Sequence, residues 1–145
     1  MAVRVKVRAA IWIDGKLAVH RSRRLGRQRT TLPGGWVGRR ESVTDALVRE
    51  VKEELGIDVD VGDLLCAGEV VNSATRQDLE LVFAATPRAP IDGGRLTLVD
   101  PCGPAAQYVL PPILAQLAEQ HDAAASGAPT QRWLGNLYVA GLKHS

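Results

Sequence analysis

Residues 35–57 place a glycine turn directly ahead of an acid-rich segment of helical period, and this stretch constrains the fold more than any other part of the chain. At about 100° per residue, Glu50, Glu53 and Glu54 project into one arc roughly 100° wide. The neighbouring arc is apolar, as a helix packed on a core requires, and consists of Val43, Leu47, Val48, Val51 and Leu55. The pattern therefore predicts a helix that carries three carboxylates at the edge of its buried face.

Three close carboxylates have two interpretations. They could form a solvated acidic face whose negative charge is offset by Arg49 and Lys52, since most runs of charged residues lie at the surface. Alternatively, they could form a site for a hard cation such as Mg²⁺ or Mn²⁺, which takes oxygen ligands and removes the repulsion. Mg²⁺ tends to keep waters and to bind few carboxylates together with substrate phosphates, so the second interpretation indicates phosphate chemistry.

The flanking residues favour the cation site. The order is Gly35, five residues, Glu41, seven residues, Arg49-Glu50, an aliphatic residue, one residue, Glu53-Glu54, one residue, and Gly56 followed by an aliphatic residue. This order resembles the Nudix box at every defined position from Gly35 to Ile57. The resemblance implies a Nudix hydrolase, which cleaves a nucleoside diphosphate linked to another moiety. It also implies the α+β Nudix fold, an α/β/α sandwich in which a mixed sheet lies between helices, and Mg²⁺ as cofactor with Mn²⁺ as a substitute.

The resemblance also implies roles for individual residues. Glu50, Glu53 and Glu54 would bind metal, together with a backbone carbonyl of the glycine turn, Gly34 or Gly35, of which we take Gly35. Arg49, Glu50 and Glu54 would be catalytic, with Glu50 either a ligand or the general base and Arg49 orienting it. Glu41 would support the loop or bind metal through water. Asp92, Asp100 and Glu80 are further candidates for a base.

Two positions depart from the pattern of many family members. Gly38 stands where a glutamate is common, and Arg40 where a glycine is common. The first departure removes one candidate ligand, and the second adds a positive charge near the phosphate path. Neither touches a defined position of the box, so we expect activity, with an effect on substrate choice.

Residues 21–29 contain five arginines in nine positions. One interpretation is a solvated, mobile loop. The other is a basic rim that binds substrate phosphates, because arginine matches phosphate oxygens bidentately. The candidate substrate-binding residues are Arg21, Arg23, Arg29 and Arg40.

The rest of the chain predicts one domain over residues 1–145. A content of 46% hydrophobic and 23% charged residues is typical of a soluble globular protein. Cys66 and Cys102 form no disulfide or metal pattern, and the chain has neither a signal peptide nor an apolar run of about 20 residues. We therefore expect a cytoplasmic protein without a membrane partner. The net charge of +2 does not favour nucleic acid, and a homodimer is left open.

Apolar alternation and turn residues predict strands at 3–13, 16–20, 59–61, 64–71, 78–85 and 95–99. The first of these has a wet face of Arg4, Lys6 and Arg8. Helices are predicted from Val43 to Leu55 and from Pro111 to about His121. Residues 72–77 are predicted as a loop and 122–130 as a connector. Segment 122–145 could cover the domain or form a dimer contact.

Three other functions fit the sequence less well than the hydrolase does. A nucleotide-sensing module that does not cleave its ligand has no need of all three glutamates. An RNA-cap or 5′-phosphate hydrolase would depend on the basic segment 21–29. Isopentenyl diphosphate isomerase chemistry would need a cysteine before the box, and both cysteines lie after it.

Overall fold

The computed structural model describes residues 3–73, 76–127 and 132–137. The strands are β1 Val3–Ala10, β2 Trp12–Ile13, β3 Lys16–Arg24, β4 Arg27–Thr31, β5 Gly34–Trp36, β6 Val59–Ser73, β7 Arg76–Pro87, β8 Thr97–Val99, β9 Val109–Leu110 and β10 Trp133–Asn136. The helices are α1 Val43–Leu55 and α2 Leu114–Ser126, with short 3-10 turns at Gly93–Arg95 and Pro104–Tyr108.

The strands form two sheets. The first has the order β10-β6-β7-β1-β5, and the second the order β2-β3-β4-β9 with β8 paired to β3. The first sheet is mixed, because β1 runs parallel to β7 and antiparallel to β5. The predicted α+β fold with a mixed sheet is confirmed.

The core lies on both sides of β1 because successive side chains of a strand point to opposite faces. Val7, Ala9 and Ile11 pack against one cluster, which includes Leu47 and Val51 of α1. Ala10, between them, belongs to the other cluster, which includes residues of α2. The helices thus cover opposite faces of the first sheet, as predicted.

Helix α1 has the predicted bounds. The side chain of Ser42 accepts a hydrogen bond from the Asp45 N–H, which makes Ser42 the N-cap. Gly56 ends the helix at φ 71°, a left-handed conformation that favours glycine. Local capping and the apolar stripe therefore suffice to place the helix that carries the glutamates.

The arginine-rich segment is a β-hairpin and not the loop that the sequence predicted. β3 continues to Arg24, and β4 returns from Arg27 after a turn at Leu25 and Gly26, both at positive φ. Five consecutive residue pairs join the two strands, from His20–Thr31 to Arg24–Arg27. The arginines therefore occupy defined positions on the two faces of a ribbon.

The bounds of three other predicted elements and one predicted strand face were wrong. The loop predicted at 72–77 is mostly strand, since β6 reaches Ser73 and β7 begins at Arg76. The strand predicted at 95–99 is shorter, because the first residues close a 3-10 turn. The second helix begins at Leu114, beyond both prolines, and runs through residues 122–126, where alanines favour helix. The wet face of β1 is covered at Arg8, which is 7% exposed.

The last described residues belong to the domain itself. β10 pairs in parallel with β6, and Leu137 joins the core on the α2 side. The rest of the predicted covering segment, residues 128–131 and 138–145, lies outside the described residues. Across the described ranges, no helix has the length and apolarity needed to cross a membrane.

Candidate functional site

The first glycine of the turn brings β5 against β1 and joins the turn to α1. A Cβ on Gly34 would lie 1.9 Å from the Val7 carbonyl oxygen, and its φ is 145°. The Gly34 N–H donates to Glu54 Oε1 at 2.7 Å. Only glycine fits this position, and its backbone directly contacts one of the box glutamates.

The second glycine makes room for another glutamate. A Cβ on Gly35 would lie 2.7 to 2.8 Å from the carboxyl atoms of Glu50. The Glu50 carboxylate therefore rests in the space that the missing side chain leaves. Both glycines thus set the distance between the turn and the acidic face of α1.

Arg49 is the centre of a hydrogen-bond network around the turn. It binds Glu41 bidentately, with Nε to Oε2 at 2.8 Å and Nη2 to Oε1 at 2.9 Å. Its Nη1 donates to Glu50 Oε1 at 3.0 Å and to Glu53 at 3.4 Å, and its Nη2 donates to the Trp36 carbonyl at 3.2 Å. One guanidinium therefore holds three carboxylates and the end of β5.

These contacts determine the charge states at the turn. The Arg49 hydrogen bonds and the Gly38 N–H lower the pKa of Glu41 to about 2. The hydrogen bonds that Arg49 donates to Glu41 are also the largest cause that raises the pKa of Arg49. Both groups are charged at neutral pH, so the network stays intact there.

Glu54 points inward. Burial raises the pKa of its carboxyl, and the Gly34 N–H, His20 and Arg8 act in the opposite direction. His20 Nε2 lies 3.3 Å from Glu54 Oε2. Sequence reasoning missed His20, because a single histidine at the end of an apolar strand carries no signal of its partner.

The three box glutamates differ in their surroundings, and their joint role as metal ligands stays a prediction. Among the described residues, no group of three His, Cys, Asp or Glu side chains is arranged to hold a metal ion. Glu50 and Glu54 face the glycine turn, whereas the Glu53 side chain is 59% exposed. The donor set nevertheless fits a hard cation, since all donors are oxygens and Glu50 and Glu53 already share one cationic nitrogen of Arg49.

The ladder between β1 and β5 distinguishes the two glycine carbonyls. Ala9 N–H donates to the Pro33 carbonyl, and Val37 N–H donates to the Val5 carbonyl. Gly35 lies midway between these pairs, opposite Val7, so its backbone groups face β1. The backbone groups of Gly34 lie outside the ladder: its N–H donates to Glu54 Oε1 at 2.7 Å, and its carbonyl accepts from the Arg8 side chain at 3.4 Å.

The hairpin register separates the candidate substrate-binding arginines. Residues paired directly across an antiparallel ladder share a face. Arg29 pairs with Ser22, two residues from His20, and so lies on the face of His20. Arg21 pairs with Thr30 and Arg23 with Gln28, so both lie on the opposite face from the histidine that contacts Glu54.

The two departures from the box pattern lie at the helix entrance. Arg40 is exposed and has φ 62°, a conformation that favours the glycine common at this position. The Gly38 N–H donates to Glu41 Oε1 at 2.9 Å. The loop is thus tied to Glu41 by a backbone group, and Arg40 extends into solvent beside it.

The candidates for a base beyond the box have structural partners instead. Glu80 is buried and paired with Arg8 at 3.0 Å. Asp92 accepts a hydrogen bond from Gly94 N–H at 3.0 Å, and Asp100 accepts one from Cys102 N–H at 2.9 Å. These contacts give the two aspartates turn-stabilising positions.

A family model for the NUDIX domain matches residues 3–96. No curated protein matches the chain. Among solved structures, the E. coli ORF135 protein is 26% identical, covering 90% of this chain and 96% of its own, with a TM-score of 0.67. A MutT NUDIX hydrolase from Burkholderia pseudomallei is 32% identical over 68% of this chain and 82% of its own, with a TM-score of 0.54. An ADP-ribose pyrophosphatase from Streptococcus suis, 21% identical over 93% and 98%, has a TM-score of 0.55 and shares the fold.

Proposed function

The chain belongs to the Nudix family and is a Nudix pyrophosphohydrolase, and from that premise we propose that it hydrolyses the diphosphate bond of a nucleoside diphosphate linked to another moiety, with Mg²⁺ as cofactor. The substrate class comprises nucleotide sugars, ADP-ribose-like compounds and nucleoside triphosphates. The observation that carries the proposal is the network in which Arg49 holds Glu41, Glu50 and Glu53 beside the glycine turn.

The proposed cation ligands are Glu50, Glu53, Glu54 and a carbonyl of the glycine turn. The ladder geometry favours the Gly34 carbonyl over that of Gly35, because the backbone groups of Gly35 face β1 in the ladder and those of Gly34 do not. When bound, a divalent cation supplies charge neutralisation for the phosphate oxygens and activates water for attack. Mn²⁺ has the same ligand preference and should substitute for Mg²⁺.

The protein side chains contribute orientation and proton transfer. Arg49 restricts the Glu50 carboxylate through the 3.0 Å hydrogen bond, and the space at Gly35 fixes the depth at which that carboxylate sits. Glu50 either binds the cation or accepts the proton of the attacking water. Glu54 is held by the Gly34 N–H, so its carboxylate is oriented before any ligand binds.

We expect arginine side chains around this site to bind the substrate phosphates. We assign the main contact to Arg29, because it shares a face with His20, which reaches Glu54. Arg40, at the helix entrance, is a second candidate. Arg21 and Arg23 could reach only a substrate long enough to pass around the hairpin, which would be the case for an RNA 5′ end.

The test is turnover on a panel of ADP-ribose, NADH, sugar nucleotides and nucleoside triphosphates with Mg²⁺. Glu53→Gln should abolish turnover and keep the fold, since the Glu53 side chain is exposed. Wild-type turnover in this variant would contradict the metal assignment. Binding without phosphate release would instead favour the sensing module, and salt-dependent RNA binding would favour the 5′-phosphate hydrolase.

The location and the assembly are also proposals. Cys66 and Cys102 are both free thiols, which fits a reducing compartment such as the cytoplasm. A homodimer would be measured by sedimentation or light scattering.

A further inference from the structure

A buried ion pair lies beneath the glycine turn, outside the box. Arg8 Nε donates to Glu80 Oε1 at 3.0 Å. Arg8 is 7% exposed and Glu80 is 1% exposed. The two residues belong to β1 and β7, which are adjacent and parallel. The two opposite charges are thus almost entirely removed from solvent.

The remaining donor contacts of Arg8 reach the turn. Its Nη1 donates to the Leu32 carbonyl at 3.0 Å and to the Gly34 carbonyl at 3.4 Å. These carbonyls flank Pro33, where β4 ends and β5 begins. Arg8 therefore connects β7 to both ends of the segment that leads into the box.

The contact continues from the turn to α1. Gly34 accepts from Arg8 at its carbonyl and donates to Glu54 Oε1 at 2.7 Å from its N–H. An unbroken line of hydrogen bonds thus runs from Glu80 through Arg8 and Gly34 to Glu54. Arg8 binds the Gly34 carbonyl, and Glu54 binds the Gly34 N–H. A shift of Arg8 would therefore move the N–H group to which Glu54 is hydrogen-bonded.

Stability alone does not account for this pair. Removing two charges from water offsets most of their attraction, and replacing a buried pair by apolar residues is often neutral or stabilising. The nearest positions on the same sheet face, Val82 and Cys66, are themselves buried and apolar. A charged pair among them fits a geometric role better than a stabilising one.

We propose that Arg8, held by Glu80, is a positioning residue that sets the orientation of the Gly34 carbonyl and of the Glu54 carboxylate for cation and substrate. The proposal rests on the proposed function of this site. Neither residue touches the reacting atoms. Their effect is on the geometry of the groups that do.

The first experiment replaces the pair as a unit, with Arg8→Met and Glu80→Met combined. The double variant should fold, because no unpaired charge remains, with a somewhat lower thermal unfolding midpoint, because the Leu32 and Gly34 carbonyls lose their Arg8 donor. We expect kcat to fall about tenfold or more, since small misplacements of reacting groups have large effects on rate, while KM changes far less. Mn²⁺ affinity of the substrate-free protein, measured by electron paramagnetic resonance, should weaken severalfold.

The matched control is the exposed ion pair between Arg88 and Asp60, at 2.9 Å. Replacing both of these residues by alanine should leave kcat and Mn²⁺ affinity unchanged. A folded Arg8→Met, Glu80→Met protein with wild-type kcat and wild-type Mn²⁺ affinity would overturn the proposal.

Two conservative variants keep the proposal testable if the double variant does not fold. Arg8→Lys retains the charge but offers no planar fork to bridge Glu80 and the two carbonyls, so its kcat and Mn²⁺ affinity should fall. Glu80→Gln retains the acceptor oxygen but leaves the buried charge of Arg8 uncompensated, so its thermal unfolding midpoint should fall, and its kcat should fall less than that of Arg8→Lys. Full activity and affinity of Arg8→Lys would overturn the proposal. Absence of turnover in the wild type would instead count against the proposed function, and the Mn²⁺ measurement would still report on Arg8.

Discussion

Gly35→Ala should separate activity from stability in this protein. The added Cβ would lie 2.7 to 2.8 Å from the Glu50 carboxyl atoms, whereas ordinary contacts begin at 3.4 Å. The carboxylate must therefore withdraw by roughly half an ångström or more. The atoms that must move are the far end of a flexible side chain, so the backbone can stay in place.

The expected magnitudes follow from that displacement. A misplacement of about 1 Å can reduce a rate about a hundredfold. A displacement of about half an ångström should therefore reduce kcat about tenfold, which corresponds to a rise of about 1.4 kcal/mol in the activation free energy. The unfolding free energy should change by less than about 1 kcal/mol, because alanine fits the local backbone and reduces the entropy of the unfolded chain.

Gly34→Ala is the matched control one residue earlier. Its Cβ would meet the Val7 carbonyl oxygen at 1.9 Å, in a backbone conformation that alanine rarely adopts. A backbone oxygen within the β1–β5 ladder has no room to withdraw. We therefore expect a loss of about 2 to 4 kcal/mol in unfolding free energy.

Steady-state kinetics and urea unfolding of both variants would test this reasoning, together with Gly35→Ala in a Glu50→Ala background. If Gly35 acts through the Glu50 carboxylate, its substitution should have no further effect on kcat once that carboxylate is removed. Wild-type kcat for Gly35→Ala, or equal loss of stability in the Gly34 and Gly35 variants, would refute it.

Three further predictions concern the surroundings of the site. Arg29→Ala should raise KM more than Arg21→Ala does, since only Arg29 shares the face of His20; equal effects in a kinetic assay would contradict the register argument. Arg40→Gly should raise the unfolding free energy by about 0.5 to 1 kcal/mol in urea titrations, because it relieves a positive φ, and a loss of stability would contradict this. Burial, and to a smaller extent the charge of Glu80, raises the pKa of the Cys66 thiol to about 11. The neutral thiol should therefore make its full contribution to the unfolding free energy below pH 9, and this contribution should be lost as the pH rises through 11. Urea titrations should show about 2 to 3 kcal/mol of alkaline loss that Cys66→Ala lacks, whereas an equal loss in both proteins would refute the assignment.

Local signals were sufficient for α1 and for the turn between the strands predicted at 3–13 and 16–20, which the antiparallel pairing of β2 with β3 confirms. An apolar stripe, an N-cap serine and a C-terminal glycine act within a few residues of one another, so Val43–Leu55 could be predicted to its bounds. Asp14 and Gly15 both adopt the positive φ that a two-residue hairpin demands. The order of residues in the box likewise determined the family and the fold.

Tertiary structure alone decided the environment of the polar side chains. Arg8 alternates with valines as a solvated residue would, yet a partner 72 positions away buries it. The arginine segment has turn residues at Leu25-Gly26, but only cross-strand pairing decides which arginines share a face with His20. Glu53 is equivalent to Glu50 in helical periodicity, yet its side chain is 59% exposed and that of Glu50 is 17% exposed, since the Glu50 carboxylate rests against Gly35 of β5. The periodicity of apolar residues in the sequence indicates which side of a helix or strand is apolar. The partners of a charged group come from chain segments whose distance in space is set by the packing of the whole domain.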